Sequence, residues 1–397
     1  MLRSMYSGIS GLKNFQTKLD VIGNNIANVN TYGFKKGRVT FKDTMNQTIS
    51  GASAAQNNRG GINPMQVGLG GTLASVDTIT TQASLQTTGR PLDLAINGDG
   101  YFVVKQGNAQ FYSRAGNFYL DDNGTLVNGD GLKVQAYTVD PNTGKPTNTY
   151  TDVAVNVNAL MSPTPTKKIS IEGTLSATAT DGSKYVQQIE AVDAEGTSHK
   201  VEVEFTKNGS GSTWNVSLNG TPSGSITFDS TTGNISSSSI NWNLDLDGSG
   251  TNDPITFDTS KFIQKGNQNA ALVNPDGNLE GSLESFNIGA GGEINGVYSN
   301  GLVKTLGVLA LAKFSNPSGL SKTGNNTFQE SINSGTANIN VPGEGRGNIA
   351  SGSLEMSNVD LSEEFTEMIV AQRGFQANTR IITTSDEILQ ELVNLKR

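Results

Sequence analysis

The stretch Met1–Val29, MLRSMYSGISGLKNFQTKLDVIGNNIANV, places apolar side chains at Met5, Leu12, Leu19 and Ile26, seven apart, and at Phe15, Ile22 and Val29, three residues after the later ones. Apolar residues on both the a and d positions of a heptad form a coiled-coil seam, because the repeat keeps one stripe facing a partner helix. The spacing predicts a helix over 4–29. Gly8, Gly11 and Gly23 fall inside it; each costs about 1 kcal/mol against alanine, and an isolated helix of this length is marginal even in ideal sequence. Packing, not propensity, must hold it.

The other end of the chain carries the same pattern. Leu361, Met368, Phe375, Ile382 and Leu389 are each seven apart, with Ile381, Ile388 and Leu395 on the adjoining face. Asp360, three residues ahead of Glu363, supplies a capping box, and a helix is predicted over 361–395. Two arrangements fit. The terminal helices dock on each other within one chain, or they bury their seams against neighbouring copies; heptads specify a partner without saying whose. The assembly seam is assigned to Met5, Leu12, Phe15, Leu19, Ile22 and Ile26, with Leu361, Met368, Phe375, Ile382 and Leu389.

Charge supports pairing of the ends. Residues 1–42 carry seven bases against Asp20, a net of +6, and residues 355–397 carry eight acids against four bases, a net of −4. Exposed pairs of this kind each contribute little. The bases of the N-terminal arm are spread out and Phe34 and Phe41 fit no recognition motif, so no nucleic-acid partner is expected.

From about Gly68 to Ile349 the pattern changes to short alternating or apolar runs punctuated by Gly, Asn and Asp, which is β-structure. Leu92–Ile96 and Tyr101–Val104 flank Asn97-Gly98-Asp99-Gly100, and Phe118–Leu120 and Leu126–Val127 flank Asp121-Asp122-Asn123-Gly124. Both spacers tolerate the positive φ of hairpin turns, and both read as hairpins. Lys200–Phe205, Trp214–Leu218 and Ser225–Phe228 alternate cleanly, and Leu302–Phe314 reads as a buried pair or one long bent strand. Residues 43–67 lack periodicity, 140–166 hold four of the eleven prolines, and 264–282 contain Asn274-Pro275-Asp276-Gly277. These breaks predict a mainly β protein with terminal α-helices and nested, discontinuous domains. The terminal helices of 1–30 and 355–397 form a coiled-coil-like core, 31–67 is a connector, 68–145 and 280–354 make an inner β domain, and 146–279 is an inserted outer β domain.

Composition removes most chemistry. There is no cysteine and one histidine, His199, so disulfides, thiol nucleophiles, Cys/His zinc sites and serine triads away from His199 are excluded. His199, in TSHKVEVEF, reads as a lone surface side chain. Asp245, Asp247, Ser249 and Asp253 match alternate ligand positions of a calcium loop, but Thr256 stands where the bidentate Glu belongs, and Pro254 follows at once. A solvated turn is expected there instead of a metal site. Gly343-Glu344-Gly345-Arg346-Gly347 lacks the Lys-Ser/Thr of a phosphate loop, and Glu363 and Glu364 read as solvated charge on the exposed side of the last helix. No cofactor and no enzymatic activity are expected. Charged residues make 16% of the chain, against about 25% on average, so its surface is polar through amides, hydroxyls and glycine, and the net charge is −8. The longest apolar run, Val308–Ala312, is far short of a membrane span, and the N-terminus has no signal-peptide core, so no membrane insertion is expected.

Three groups of residues resemble one known family. LDVIGNNIANVNTYGFKK at Leu19–Lys36 is similar to the N-terminal signature of the flagellar rod, hook and axial proteins, and SNVDLSEEFTEMIVAQRGFQANTRIITTSDEILQELVNLKR at Ser357–Arg397 to its C-terminal counterpart. LDLAINGDGYF at Leu92–Phe102, YSRAGNFYLDDNGTLVN at Tyr112–Asn128 and the run Ser353–Leu361 also resemble family segments. The likeness covers about 1–137 and 280–397. It implies a structural protein of the extracellular bacterial flagellum and its basal body. Such a subunit is secreted through the flagellar type III export apparatus without a cleaved signal, self-assembles into a helical polymer and serves motility. The inserted stretch 146–279 points to the hook branch, whose subunits form a curved tube that transmits torque from rod to filament, with rod protein, hook cap and hook–filament junction protein as partners. A distal rod subunit is the alternative, and a β-rich surface adhesin a more distant one. The covalent crosslink that some hooks form through cysteine is impossible here.

Overall fold

Helix α1 (Leu2–Ala27) and helix α2 (Leu361–Asn394) bracket a chain that is otherwise β-structure in the computed structural model, which describes residues 2–54, 60–140, 143–156, 160–209, 211–242, 244–246 and 254–395. The fold is mainly β with a helix at either end. Among the described residues no helix is long and apolar enough to cross a membrane. The chain divides into two compact units, one of Met1–Val155, Asn287–Asn295 and Thr305–Arg397, the other of Asn156–Phe286 and Gly296–Lys304.

In the first unit α1 runs antiparallel to α2. A Cβ on Gly8 would touch the Asn378 carbonyl and Ile382 at 3.6 Å, and one on Gly374 would lie 2.4 Å from the Phe15 ring. Lys18 pairs with Glu367 farther along. α1 ends at Ala27, short of the expected Val29, because Asn28 turns the chain: its Nδ2 donates to the Asn24 carbonyl at 2.9 Å and its Oδ1 accepts from Thr31 Oγ1 at 3.1 Å. At the start of α2 the Asp360 carboxylate accepts from the amides of Ser362 and Glu363 at 2.8 and 3.4 Å. Only that half of the expected box forms, since the Glu363 carboxylate turns to Lys36 at 2.6 Å.

Residues 31–67, read above as a connector, hold strands. Gly37–Asp43 pairs antiparallel with Gly71–Thr78, and Asn46–Ser50 with Met65–Gly68. Hydrophobic periodicity missed them because the second ribbon is exposed on nearly all of its residues, with Met45, Ile49 and Met65 in solvent, and the first is only partly buried, with no fully buried face.

The main sheet of this unit pairs Lys133–Val139 with Tyr101–Gln106, Tyr101–Gln106 with Ala109–Ser113, Ala109–Ser113 with Thr327–Gln329, and Thr327–Gln329 with Ser321–Gly324, all antiparallel. Leu302–Phe314 resolves into two strands, Val303–Leu309 and Leu311–Lys313, the first meeting Ala136 and Tyr137 and the second Tyr101 and Phe102. Tyr101, Tyr112, Phe314 and Phe328 fill the core edge-to-face, with Tyr112 and Phe314 centroids 4.8 Å apart.

The second predicted turn is a hairpin: Tyr119–Leu120 pairs with Leu126–Val127, Asp121 Oδ1 accepts from the amides of Asn123 and Thr125, and Gly124 has φ +75°. The first is not. Leu94–Asn97 pairs with Asn348–Ser351, while Tyr101–Gln106 enters the main sheet, so Asn97–Gly100 carries the chain between two sheets. Gly98, at φ +115°, is packed where a Cβ would come within 2.9 Å of Gly347. Gly343–Gly347 closes over this crossing, and Arg346 fixes it by donating to the carbonyls of Leu311, Asn338 and Glu344.

The second unit packs a five-stranded meander (Lys184–Val192, Ser198–Asn208, Thr213–Leu218, Thr221–Phe228, Ile235–Ile240) and a three-stranded sheet around one core. In the latter, Lys168–Leu175 lies parallel to Thr256–Gln264 and antiparallel to Ala270–Pro275. Val201, Val203 and Phe205 are fully buried, as their alternation predicts. Asn219 and Gly220, both at positive φ, make the two-residue turn that joins Thr213–Leu218 to Thr221–Phe228. His199 lies on the meander, its Nε2 2.8 Å from Asp193 Oδ2.

Candidate functional site: the junction of the chain ends

The two terminal signature segments meet in one place. After α1 the chain turns at Gly33, whose φ is +71° and whose Cβ position lies 2.6 Å from the Arg114 backbone, so only glycine fits. The Gly33 amide donates to the Glu355 carbonyl at 2.8 Å. Two residues on, Lys35 enters the protein. Its Nζ lies 2.7 Å from Glu355 Oε1 and donates to the Thr81 carbonyl at 2.9 Å. The same Oε1 accepts the Ala83 amide at 3.1 Å, and Oε2 pairs with Arg114 Nη1 at 3.2 Å. Arg114 Nη2 donates to the Gly98 carbonyl at 2.9 Å, and its guanidinium lies 5.3 Å from the centre of the Tyr101 ring.

One carboxylate thus serves two cations and an amide. Burial pushes the Lys35 ammonium below its ordinary value, opposed by Glu355, and burial raises the Tyr101 phenol. An ion cluster of this kind adds little net stability because desolvation offsets attraction, but it penalises any arrangement that leaves one member unpaired. It specifies which segments meet.

A second layer surrounds it. The Asn25 amide imitates a neighbouring strand, donating to the Gly37 carbonyl and accepting from the Gly37 amide, both at 2.9 Å, and its Nδ2 also reaches Glu364 at 3.1 Å. Asn358 accepts from the Lys36 amide at 2.7 Å and donates to the Ile79 carbonyl at 2.9 Å. The expectation of Glu363 and Glu364 as solvated charge is corrected here. Glu364 is buried against Asn25, and Glu363, itself exposed, is paired with Lys36.

Of the seam residues, Ile22 is buried; Met5, Leu12, Phe15, Leu19, Ile26, Met368, Ile382 and Leu389 are half-buried, and Leu361 and Phe375 are exposed. The row of α2 that faces α1 between them is Glu364, Ala371, Asn378 and Ser385, small or polar, while Ile381, Ile388 and Leu395 on the adjoining face are exposed. Glycines explain the choice: with Gly8 and Gly11 opposite Asn378 and Gly374 under Phe15, the backbones come close enough for small residues to fill the contact. In the sequence Lys35 and Lys36 read as two surface cations, and only the extent of the family likeness, which reaches Lys36, marked the segment. Asp245 is exposed; Asp247, Ser249 and Asp253 lie outside the described residues.

Family models match both halves of this junction. One described as "Flagella basal body rod protein" covers residues 5–35, "Flagellar hook protein FlgE/F/G D1 domain" covers 95–177, and "Flagellar basal body rod FlgEFG protein C-terminal" covers 350–395. The chain is 40% identical to the flagellar hook protein FlgE of Borreliella burgdorferi, with 100% of each chain aligned. The chain belongs to the flagellar hook and rod protein family. The family is structural. Lys35 closes the first matched segment, Arg114 lies in the second and Glu355 in the third, so the buried cluster joins all three. A crystal structure of the Helicobacter pylori flagellar hook protein FlgE2 shares the fold, with a TM-score of 0.54 at 15% identity, over 68% of this chain and 100% of that one. The flagellar basal-body rod protein FlgG of Bacillus subtilis is 41% identical with 100% of both chains aligned, so the inserted unit does not by itself separate hook from rod. Relatives named as hook proteins, among them that of Escherichia coli at 34% identity over 98% of this chain, favour the hook. The chain is a structural subunit of the hook of the bacterial flagellum.

Proposed function

We propose that the subunit polymerises with copies of itself by burying the second apolar face of α2, and that the resulting curved tube is the flexible joint between rod and filament. One observation carries this reading. α2 already has α1 along one face, yet Phe365, Ile369, Val370 and Ile388 stand in solvent. A helix that is apolar beyond its intramolecular contact has a further partner to bury against. The assigned seam residues then act on both sides: Met5, Leu12, Phe15, Leu19, Ile22, Ile26, Met368, Ile382 and Leu389 hold the pair together, while Leu361 and Phe375 face outward to the next copy. Head-to-tail repetition of such a contact gives an open helical polymer. The rod protein, hook cap, hook–filament junction protein and export apparatus complete the set of partners. The second unit, Asn156–Phe286 with Gly296–Lys304, is sparse in charge and supplies polar surfaces that slide as the tube bends.

The test is Phe365→Asp with Ile369→Asp in the full chain. The monomer keeps its helical circular dichroism, since neither side chain is buried, and tubes disappear from electron micrographs; tubes of normal length and number would sink the reading. The rod-named relative at 41% identity keeps a distal rod subunit as the second reading. Wild-type assemblies decide between them: curved tubes mark a hook, straight ones a rod.

A further inference from the structure

The chain has seven methionines and no cysteine, so oxidation of its sulfur falls on methionine alone. Met161 is set apart by what surrounds it. It lies in the second unit, in the two-residue strand Leu160–Met161 that pairs antiparallel with Gly281 and Ser282. Its Sδ stands 3.6 Å from Asn300 Nδ2 and 3.7 Å from Asn278 Nδ2. Both asparagines are held by the backbone. Asn278 exchanges two main-chain hydrogen bonds with Thr164, at 2.9 and 3.1 Å. Ser299, next to Asn300, donates its amide to the Ser282 carbonyl at 2.9 Å and accepts the Ser282 amide on Oγ at 3.0 Å. Gly281 leaves room for the arrangement, since a Cβ there would lie 2.8 Å from Asn300 Cγ.

The donors outnumber the good acceptors. A side-chain amide nitrogen carries two hydrogens. Asn300 Nδ2 donates one to the Leu279 carbonyl at 2.9 Å, and Asn278 Nδ2 one to the same carbonyl at 3.1 Å. The orientation of Asn300 is set because its Oδ1 accepts the Leu302 amide at 3.1 Å. Each amide then turns its second hydrogen to the thioether sulfur, a weak acceptor. Both nitrogens bond one carbonyl, so they stand on the same side of that sulfur. Two convergent donors with a poor acceptor between them form a receptor for an oxygen carried on the sulfur. Methionine oxidation ordinarily disrupts a fold by making an apolar side chain polar; here the new polar atom has partners already in place.

We propose that Met161 is a site of reversible sulfoxide formation whose added oxygen lies between the Asn278 and Asn300 amides. The oxidant is of the peroxide class. A sulfur lone pair attacks one oxygen of hydrogen peroxide, the S–O bond forms as the O–O bond breaks, and the proton of the transferred oxygen leaves with the departing hydroxide as water. Sulfur loses two electrons and the peroxide gains them. Met161 is half-buried beside the exposed Leu160, so a molecule the size of peroxide reaches it. The sulfoxide sulfur is a stereocentre, and donors on one side of it select one of the two epimers.

The test treats the full chain with hydrogen peroxide, digests it, and gives the peptides separately to the two methionine sulfoxide reductases, each of which reduces one epimer. Met161 sulfoxide is one epimer in about fivefold excess or more, the discrimination that hydrogen bonds of ordinary strength provide. The exposed Met45 and Met65 give near-equal mixtures. Asn278→Ala with Asn300→Asp removes both donors while keeping an acceptor for the Leu302 amide, and it brings Met161 to a near-equal mixture. Tryptophan fluorescence reports the second unit, which holds both tryptophans. Measured against Met161→Leu treated alike, the oxidised parent unfolds at no lower urea than the untreated one. Equal epimers at Met161 in the parent, an excess that survives in the double variant, or a fall of the parent's urea transition on oxidation overturns the proposal.

Discussion

Lys35 Nζ and Glu355 Oε1 are 2.7 Å apart across 320 residues of sequence, and both side chains are fully buried. No local signal pairs them. The contact exists only when both ends of the chain have arrived, and Arg114 Nη1, at 3.2 Å from Glu355 Oε2, requires the same carboxylate. Before Glu355 is in place, Lys35 and Arg114 are two cations that cannot be buried without severe desolvation. The junction therefore requires both chain ends and the Arg114 segment at once.

Replacing Glu355 by Gln strands both cations and destabilises the first unit by about 3–5 kcal/mol. Both tryptophans, Trp214 and Trp242, lie in the second unit, so two signals separate the outcomes. The helical circular dichroism is lost at lower urea, while the tryptophan fluorescence transition stays where it was. Adding Lys35→Met recovers part of the loss because one stranded charge is gone; two losses that simply add would mean that the cluster acts only by packing.

The helices and the alternating strands were legible because their period is local: seven-residue spacing for α1 and α2, and two-residue spacing for Val201–Phe205 and Trp214–Leu218. What depended on distant partners was not. Glu364 reads as solvated until Asn25, 339 residues away, takes its carboxylate. Lys35 reads as one more base of the N-terminal arm because such side chains are almost never buried unpaired. Asn97–Gly100 has the composition of a hairpin turn, yet the same positive-φ glycines serve a crossing between sheets, and only the partner strand Asn348–Ser351 tells them apart.

Two glycines in the helices are expected to behave oppositely. A Cβ at Gly374 would fall 2.4 Å from the Phe15 ring, whereas one at Gly23 would meet nothing within 4 Å. Gly23→Ala therefore stabilises the helix pair by up to about 1 kcal/mol through helix propensity alone. Gly374→Ala forces Phe15 off its site and costs about 1–3 kcal/mol despite the same gain in propensity. Thermal melts followed by helical circular dichroism check the signs, and equal shifts for the two variants would mean that Phe15 does not pack into the Gly374 gap.

Alkali should weaken the first unit through its buried phenols. Burial, and then the hydrogen bond to Glu330, hold the Tyr112 phenol well above its ordinary value of 10.0. Burial raises Tyr101 and Tyr137 in the same core. A raised folded-state value means that the native protein keeps protons that the unfolded chain releases. The stabilisation is therefore complete below the unfolded tyrosine value and is lost progressively as the pH rises above about 10. Tyr112→Phe removes one of these protons from the balance. It costs about 1 kcal/mol at neutral pH for the lost hydrogen bond, and its stability falls less steeply in alkali than that of the parent. Urea melts at a series of alkaline pH values measure both slopes; parallel curves would show that Tyr112 releases its proton as readily folded as unfolded.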